Sequence, residues 1–252
     1  MKKNFKTLAL VAFAACAMLT SCENEGDNAR YISDYFTITG DVETGYTLYQ
    51  DGGGIVKPLT SSIVSAGGKD GFGKNERAML TFKFEEENIK QIEGGKIVEN
   101  AYLLEGDYMP LHFPMTLEEA ESKMITAPDS LFNVNRLIYT WCYRGYLNTR
   151  INAPVVLRNG YVVRPGINMV YNPADIKDNY IELKVCYNRH SAKGVLSDGN
   201  QEFVSTFPLY NIGSLIPGDG EVTIKVSVDG AEPLTLKIDR KNLERGNYLP
   251  YK

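Results

Sequence analysis

Cys22 is the residue whose surroundings indicate a specific chemistry. The first six residues contain three lysines and no acid, and residues 7–19 are almost entirely apolar. Thr20 and Ser21 then precede the cysteine, and a signal peptidase needs small residues of this kind at the bond that it cuts. The order of these features predicts cleavage between Ser21 and Cys22 and attachment of lipid to the thiol of Cys22.

The run Leu19-Thr20-Ser21-Cys22 resembles the lipobox of bacterial lipoproteins. A basic flank and an apolar core of roughly 7–15 residues are typical of a signal peptide, whereas a helix that spans a bilayer needs about 20 apolar residues. We therefore expect residues 1–21 to be a lipoprotein signal peptide and the mature chain to be anchored to a membrane. The alternative is an ordinary secretory signal in which the cysteine is incidental.

Residues 22–34 are predicted to form an acidic, flexible tether. Residues 23–28 hold three acids and no hydrophobic side chain, so this stretch has nothing to bury. The stretch also resembles the acidic export signal that sends some Gram-negative lipoproteins to the cell surface. We expect a lipid-anchored protein of the outer membrane and favour the cell surface over the periplasmic face.

Charge and length limit the classes of partner. Removing residues 1–21 leaves 231 residues and takes away three lysines and no acid, so the net charge changes from −4 to −7. Such an acidic chain has no electrostatic basis for binding nucleic acid or anionic lipid head groups. Beyond the leader, no apolar run is long enough to cross a membrane. The remaining length suits one large domain or two small ones.

Patterns typical of catalytic or metal sites are missing from the sequence. The two histidines, His112 and His190, have no partner at metal-binding spacing, and there is no Gly-x-Ser-x-Gly motif. The glycine-rich residues 67–74 lack the spacing of a phosphate-binding P-loop, which favours a loop of a barrel. We therefore expect no catalytic residue, metal or cofactor. A hydrolase with dispersed acids is the least favoured alternative, since the separation of a carboxylate pair is set in three dimensions.

Cys142 and Cys186 are the cysteines that remain beside the lipidated one. Outside the cytoplasm they could be joined by a disulfide, which would stabilise the fold by roughly 4 kcal/mol on the chain-entropy model. The alternative is two unlinked thiols that behave as small hydrophobic side chains.

Aromatic residues are abundant, with sixteen tyrosines and ten phenylalanines beside a single tryptophan. Trp141, Tyr143 and Tyr146, together with Tyr102 and Tyr108, could form an aromatic binding face of the kind that sugar and peptide sites use. Their positions within predicted strands favour packing in the core instead.

Alternation of apolar and polar residues predicts strands in the first half of the mature chain. Residues 36–42 open the first strand, and Gly40 within it indicates a bulge or a sharp bend. A glycine-rich turn at residues 51–54 precedes a return strand, and residues 78–84 alternate cleanly. Five strands within about 75 residues fit a small barrel, so residues 35–125 are predicted to form an OB-like β-barrel.

One short helix is predicted near the end of this barrel domain. Thr116 can cap the helix, with Glu119 three residues later as its capping-box partner. The pattern breaks at residues 127–130, which places the domain boundary between residues 125 and 126.

Strands also dominate the second half, residues 126–252. Asn159-Gly160 between two apolar runs predicts a tight type I′ hairpin, and residues 222–238 predict another hairpin. Strands with one buried face and one wet face are what a β-sandwich requires. The predicted fold class is therefore all-β, with an OB-like barrel followed by a β-sandwich.

Three motifs resemble those of the NigD-like lipoproteins: the lipobox, Thr-x-Thr-Gly-Asp-Val at residues 37–42, and Arg-Gly-Tyr-Leu-Asn at residues 144–148. The resemblance covers most of residues 31–252. It implies an N-terminal OB-fold followed by a C-terminal β-sandwich, and the founding member of that family is assigned as a bacteriocin immunity protein from its gene neighbourhood. The motifs imply no catalytic residues.

These observations favour a non-enzymatic, envelope-anchored binding protein whose partner, under the resemblance, is a bacteriocin or another secreted protein. The second hypothesis is a cell-surface accessory protein that binds a glycan. The third is an adhesin or pilus subunit, since similar leaders precede such proteins.

Overall fold

A computed structural model describes residues 28–93, 95–127, 133–163, 166–188 and 195–244. The predicted signal peptide, its cleavage site at Ser21 and Cys22, and His190 lie outside these ranges. The chain divides into two compact units, of which the first ends at Asp107 and the second begins at Tyr108.

The first unit contains six strands and one α-helix within the described residues. In chain order these are β1 (Ala29–Asp41), β2 (Gly45–Gln50), β3 (Gly54–Pro58), α1 (Thr60–Gly67), β4 (Arg77–Glu85), β5 (Ile89–Ile92) and β6 (Gly95–Tyr108).

The strands of the first unit form a closed barrel. The sheet order is β3-β2-β1-β4-β6-β5, and β3 also pairs in parallel with β6, which joins the two sides of the sheet. Five strands therefore close the barrel, β5 extends it as a hairpin with β6, and α1 connects β3 to β4. This is the strand arrangement of an OB-like barrel, as the sequence predicted. Its interior is filled by apolar side chains that include Phe36, Leu48, Val56, Leu80 and Phe82.

β1 is long enough to pair with strands on both sides, and Gly40 allows it to bend. The first part of β1 pairs with β4 and the last part pairs with β2. Gly40 has φ +82°, and a Cβ placed there would lie 2.1 Å from the carbonyl oxygen of Gly45. Only glycine fits this position, which accounts for the bend that the sequence predicted.

The start of β1 corrects one prediction. Residues 29–34, which we assigned to the flexible tether, pair with residues 80–85 of β4. Ile32 packs against the barrel core, so this segment has an apolar side chain to bury although acids precede it. Within the predicted tether, only Asn28 lies in the described chain outside the strand.

The second unit contains nine further strands and one α-helix within the described residues. These are β7 (Met115–Thr116), α2 (Leu117–Ser122), β8 (Arg136–Tyr143), β9 (Tyr146–Arg158), β10 (Tyr161–Val163), β11 (Gly166–Tyr171), β12 (Tyr180–Asn188), β13 (Val195–Pro208), β14 (Glu221–Val228) and β15 (Ala231–Asp239).

Two sheets form a sandwich in the second unit. In one sheet, β9 pairs antiparallel with β13, β8 and β10. The other sheet has the order β15-β14-β12-β11-β7, in which β12 and β14 are parallel. Side chains from both sheets, among them Leu147, Ile151, Leu183, Ile224 and Val226, make one continuous core. The all-β prediction with a sandwich in the second half is confirmed.

Helix α2 belongs to this second unit. Thr116 caps it as predicted, because its hydroxyl accepts a hydrogen bond from the Glu119 N–H at 3.2 Å. β7 pairs with β11, and Ala120 of the helix packs against Val170 and Cys186 of the sandwich. The units therefore divide before the helix, at residues 107/108, whereas we placed the boundary after it, at residues 125/126.

Candidate functional site

A cavity of about 290 Å³ lies at one end of the barrel of the first unit. The turn between β2 and β3 and the start of β6 meet there, and a Cβ on Gly95 would lie only 3.4 Å from the carbonyl oxygen of Gly53. The cavity is lined by residues 31–33 and 52–56 together with Gln50, Phe84, Ile89, Gly95, Lys96 and Val98.

The wall of the cavity is mostly apolar. Val56, Phe84 and Val98 belong to the barrel core, and Ile32 and Ile89 pack against that core. A concave, largely apolar space with a few fixed polar groups is typical of a ligand site. Because its residues come from β1, the β2–β3 segment, β4, β5 and β6, no single motif in the sequence indicates the cavity.

Glycines form the turn that borders the cavity. Gly53 has φ +88°, a conformation that favours glycine, and a Cβ on Gly54 would lie 2.9 Å from Oε1 of Gln50. Without side chains, the peptide groups of Gly52, Gly53 and Gly54 line the cavity directly. The sequence predicted this segment as a turn but did not indicate its part in a site.

Gln50 is a polar side chain with a fixed orientation at the cavity. It is buried, and its Nε2 donates a hydrogen bond of 2.6 Å to Oδ2 of Asp34. Oδ1 of the same carboxylate accepts from the N–H of Tyr35 at 2.7 Å. An ionised carboxylate only accepts hydrogen bonds, so it fixes which end of the Gln50 amide faces it. The remaining amide oxygen, Oε1, is an acceptor on the side of Gly54, which lines the cavity.

The groups behind Gln50 are charged and tightly paired. Both guanidinium nitrogens Nη1 and Nη2 of Arg77 donate to the carboxylate of Asp51 at 2.6 Å, and Nη1 also donates to Oγ1 of Thr37 at 2.9 Å. Burial raises the pKa of the Asp34 carboxyl, and the nearby charge of Asp51 raises it too, while the hydrogen bonds from Gln50 and Tyr35 lower it. These groups form hydrogen-bonded polar pairs next to the cavity, which Gln50 lines.

The Thr-x-Thr-Gly-Asp-Val motif is structural rather than reactive. It contributes a contact to Arg77 and holds the turn between β1 and β2. Thr37 accepts from Arg77, and the hydroxyl of Thr39 donates to the carbonyl of Thr47 at 2.7 Å. Oδ1 of Asp41 accepts from the N–H groups of Glu43 and Thr44, which holds the β1–β2 turn. The hydrogen bonds from Thr44 lower the pKa of the Asp41 carboxyl.

The Arg-Gly-Tyr-Leu-Asn motif is also structural. Arg144 and Gly145 have φ +50° and +82° and form the tight turn between β8 and β9. Oδ1 of Asn148, which is fully buried, accepts from the hydroxyl of Thr206 at 2.7 Å. The motif therefore fixes a turn and a pair of neighbouring strands in the second unit.

The predicted aromatic face of Trp141, Tyr143 and Tyr146 does not form as a binding surface. Tyr143 and Tyr146 are 3% and 1% exposed, and Tyr146 packs edge-to-face against Tyr210 with 5.8 Å between ring centroids. The three side chains do share one side of their sheet, but that side is covered at the β8–β9 turn. The burial of Tyr143 and Tyr146 agrees with the packing that their strand positions favoured, and the alternative of an exposed face does not hold for these two residues.

Trp141 instead makes a partly exposed pair with Tyr139. The two rings stack with 4.9 Å between centroids, and Tyr139 is 38% exposed. The guanidinium of Arg150 lies 5.8 Å from the centre of the Tyr139 ring, and its Nε donates to Glu202 at 2.7 Å. This second, smaller surface combines aromatic rings with an ion pair.

Cys142 and Cys186 are not bonded to each other. Cys142 lies in β8 and packs against the core between the sheets, whereas Cys186 lies in β12 and faces Ala120 and Val170 beneath α2. The thiols therefore sit in different layers of the sandwich, and of the two alternatives the structure has the unlinked thiols rather than the disulfide. Burial raises the pKa of the Cys186 thiol to about 11, which makes it a packing residue rather than a nucleophile.

The other candidate residues have structural surroundings. The N–H of His112 donates to the carbonyl of Thr206 at 3.0 Å, and its ring lies 6.1 Å from that of Phe207. In the glycine-rich loop, Phe72 packs edge-to-face on Tyr46 and donates its N–H to the tyrosine hydroxyl. Among the residues that the structure describes, no three His, Cys, Asp or Glu side chains are grouped to hold a metal ion. None of the described helices has the length and hydropathy to span a bilayer.

Comparison with known proteins identifies the fold. No family model matches the sequence, and no curated protein is similar to it. Solved structures that resemble the chain include a candidate lipoprotein from Bacteroides fragilis NCTC 9343, with 11% identity over 83% of this chain and 98% of that one and a TM-score of 0.54. A candidate toxin-related protein from Parabacteroides distasonis ATCC 8503 has 17% identity over 84% and 95% of the two chains and a TM-score of 0.51.

A NigD-like immunity protein from Bacteroides caccae ATCC 43185 is also among the structural neighbours, with 13% identity over 82% of this chain and 91% of that one and a TM-score of 0.48. By name, this neighbour belongs to the family that the sequence motifs resemble. At these identities the first two similarities establish a shared fold.

Proposed function

We propose that this chain is a non-enzymatic lipoprotein, anchored to the envelope through Cys22, that binds a partner through the cavity of its barrel. The observation that carries the proposal is the apolar cavity of about 290 Å³ with one oriented amide, Gln50, at its polar end. Its polar groups orient a ligand, and none of them forms a nucleophile–base pair that could perform catalysis.

The anchor is proposed from the leader and the position of Cys22. The fold shared with a candidate lipoprotein from Bacteroides fragilis supports it. We place the protein in the outer membrane, with the cell surface favoured over the periplasmic face because acids follow Cys22. Replacement of this thiol, Cys22→Ser, should release the chain from membranes or leave uncleaved precursor. Unchanged processing and membrane retention would contradict the anchor.

The partner proposed from the NigD-like resemblance is a secreted protein, with a bacteriocin as the first candidate. A cavity in a barrel of this kind can accept one side chain of such a protein while the surrounding loops contact its surface. Binding without chemistry is sufficient for protection, since a bound toxin cannot reach its target.

The proposal is tested by measuring whether variants of the cavity still capture the partner. Ile55 lines the cavity and is only partly buried, so Ile55→Trp should fill the space without disrupting the core. Tyr102→Trp is the matched control, because Tyr102 is 50% exposed on the same barrel and does not line the cavity. The full-length lipoprotein and both variants would be cross-linked in native envelopes and the attached molecules identified by mass spectrometry.

The wild-type chain and Tyr102→Trp should capture the same secreted protein, and Ile55→Trp should lose it. That protein should inhibit cells lacking the lipoprotein and spare cells that express it. Equal capture by all three chains, or recovery of an oligosaccharide, would overturn the proposal.

A second candidate function, glycan binding, is favoured by the Tyr139–Trp141 pair and the adjacent Arg150–Glu202 ion pair. Aromatic rings beside charged hydrogen-bonding groups suit a sugar, which has apolar faces and hydroxyls. Trp141 is the single tryptophan of the chain, so its fluorescence reports on this surface directly. A change on titration with maltohexaose, xylohexaose or mannohexaose that persists in Tyr161→Ala and is lost in Tyr139→Ala would support this function. No change with any of the three would count against it.

A further inference from the structure

We infer that the barrel cavity accepts a neutral hydroxyl carried on an apolar body, and that the partner supplies it as the side chain of a tyrosine. The inference deepens the proposed function, on which it rests, because it names the chemical group that enters the cavity. It follows from three properties of the site: its size, the acceptor at its polar end, and the charges around it.

The size suits an aromatic ring. The cavity measures about 290 Å³, and a dry apolar cavity of about 150 Å³ is enough to hold benzene. Val56, Phe84 and Val98 supply apolar surface for the faces of such a ring. A substituted ring therefore fits with room for the bond that connects it to a peptide backbone.

The polar end requires a donor. Nε2 of Gln50 is engaged by Oδ2 of Asp34 at 2.6 Å, and Asp34 also accepts from the N–H of Tyr35. The amide cannot turn over without placing its oxygen against the carboxylate, so Oε1 is the atom that Gln50 offers to a ligand. A ligand group at this point must donate a hydrogen bond, because an acceptor would face Oε1 unpaired.

The surrounding charges require that the donor be neutral. The carboxylate of Asp34 lies against the amide, which disfavours an anion at this end, whereas the charge of Asp51 is balanced by Arg77. Lys96 lines the cavity, and an ammonium group would be repelled by it. A neutral hydroxyl meets all three conditions, and tyrosine is the amino acid that carries one on a large apolar body.

The experiment uses two probes that differ by one hydroxyl: p-cresol, the side-chain analogue of tyrosine, and toluene, the analogue of phenylalanine. Each is titrated into the whole mature chain carrying Cys22→Ser, which needs no detergent, and binding is followed by NMR at the backbone amides of Gly52, Gly53 and Gly54. The same titrations are made with Gln50→Met, which keeps the side-chain length and removes the amide, and with Ile55→Trp, which fills the cavity.

We expect p-cresol to bind the unsubstituted site about fivefold more tightly than toluene, within a range of about 2- to 13-fold, which is the ratio expected for one additional hydrogen bond. In Gln50→Met the preference should reverse, because burying an unpaired hydroxyl is unfavourable. Ile55→Trp should bind neither probe. Should Gln50→Met fail to fold, the preference is tested on the unsubstituted site with N-acetyl-tyrosinamide against N-acetyl-phenylalaninamide, which also shows whether a peptide-borne ring can enter.

The outcomes distinguish failure of the tyrosine inference from failure of the cavity as a binding site. Toluene binding as tightly as p-cresol, or a preference for p-cresol that survives in Gln50→Met, would overturn the tyrosine inference while leaving the cavity as a binding site. Failure of both probes to shift the glycine amides would overturn the inference and remove the observation on which the proposed function rests.

Discussion

Arg77 holds Asp51 through two hydrogen bonds of 2.6 Å at a position where the arginine side chain is fully buried and the aspartate side chain is 4% exposed. The bidentate geometry matches the planar guanidinium to the carboxylate. This pair joins the first residue of β4 to the turn after β2 and so fixes the polar end of the cavity.

Breaking this pair should destabilise the first unit strongly. Asp51→Ala leaves a buried guanidinium without its carboxylate, and removal of one partner of a buried ion pair typically costs about 3–5 kcal/mol. The measurement is the free energy of unfolding in urea. Glu86→Ala is the control, because its pair with Arg30 is solvent-exposed, and it should change stability by no more than about 1 kcal/mol. Equal effects of the two substitutions would contradict the assigned role of Asp51.

Gly40 and Gly45, in the first hairpin, allow the stability cost of a steric clash to be distinguished from that of backbone strain. Gly40 and Gly45 both have positive φ, but a Cβ on Gly40 would meet the Gly45 carbonyl at 2.1 Å, whereas one on Gly45 meets nothing within 4 Å. Gly45→Ala should therefore cost about 1–2 kcal/mol from backbone strain alone. Gly40→Ala should cost roughly 1–3 kcal/mol more, since the chain must move to admit the methyl group. Thermal unfolding of both variants measures the two costs. A smaller loss of stability in Gly40→Ala than in Gly45→Ala would refute this prediction.

The buried carboxyl of Asp34 should make stability depend on pH. Burial raises its pKa in the folded state above the ordinary value of 3.8, so the folded chain holds this proton at pH values where the unfolded chain has released it. The contribution of Asp34 to the free energy of unfolding therefore falls as pH rises from 3.8 through the folded pKa, and is constant above it. The free energy of unfolding of the wild-type chain minus that of Asp34→Asn should therefore decrease as pH rises over this interval. A difference that increases with pH would contradict the raised pKa.

The thiol of Cys186 should resist modification in the folded chain. Its pKa is raised to about 11 by burial, so little thiolate exists at pH 8. Iodoacetamide at pH 8 should leave Cys186 unlabelled until urea is added, and both Cys142 and Cys186 should then react without prior reduction. Peptide mass spectrometry locates the label. Rapid labelling of Cys186 under native conditions, or a requirement for reductant, would contradict the described arrangement.

Local features of the fold were predictable because they depend on neighbours in the chain. Asn159 and Gly160 have φ +53° and +81°, as the tight hairpin required, and the β14–β15 hairpin pairs along the alternating residues that predicted it. The bend at Gly40 and the cap at Thr116 also arise from backbone geometry within a few residues. The spacing of leader and cysteine is likewise a property of the sequence.

Alternation predicts which side chains share a face, but it does not show what covers that face. Trp141, Tyr143 and Tyr146 share a side of their sheet, yet the fold covers the two tyrosines and leaves part of the surface open at Tyr139. Cys142 and Cys186 both lie on strands, and only the stacking of the sheets places them in separate layers.

The sequence by itself determined the strand content and the order of the two all-β halves, since these follow from composition, period and local turn chemistry. The tertiary structure decided the cavity, the pairing of Arg77 with Asp51 and the orientation of Gln50, because barrel closure brings together residues from distant strands. Register between strands is a long-range property, and a site made at the end of a barrel exists only once the parallel pairing of β3 and β6 has closed it.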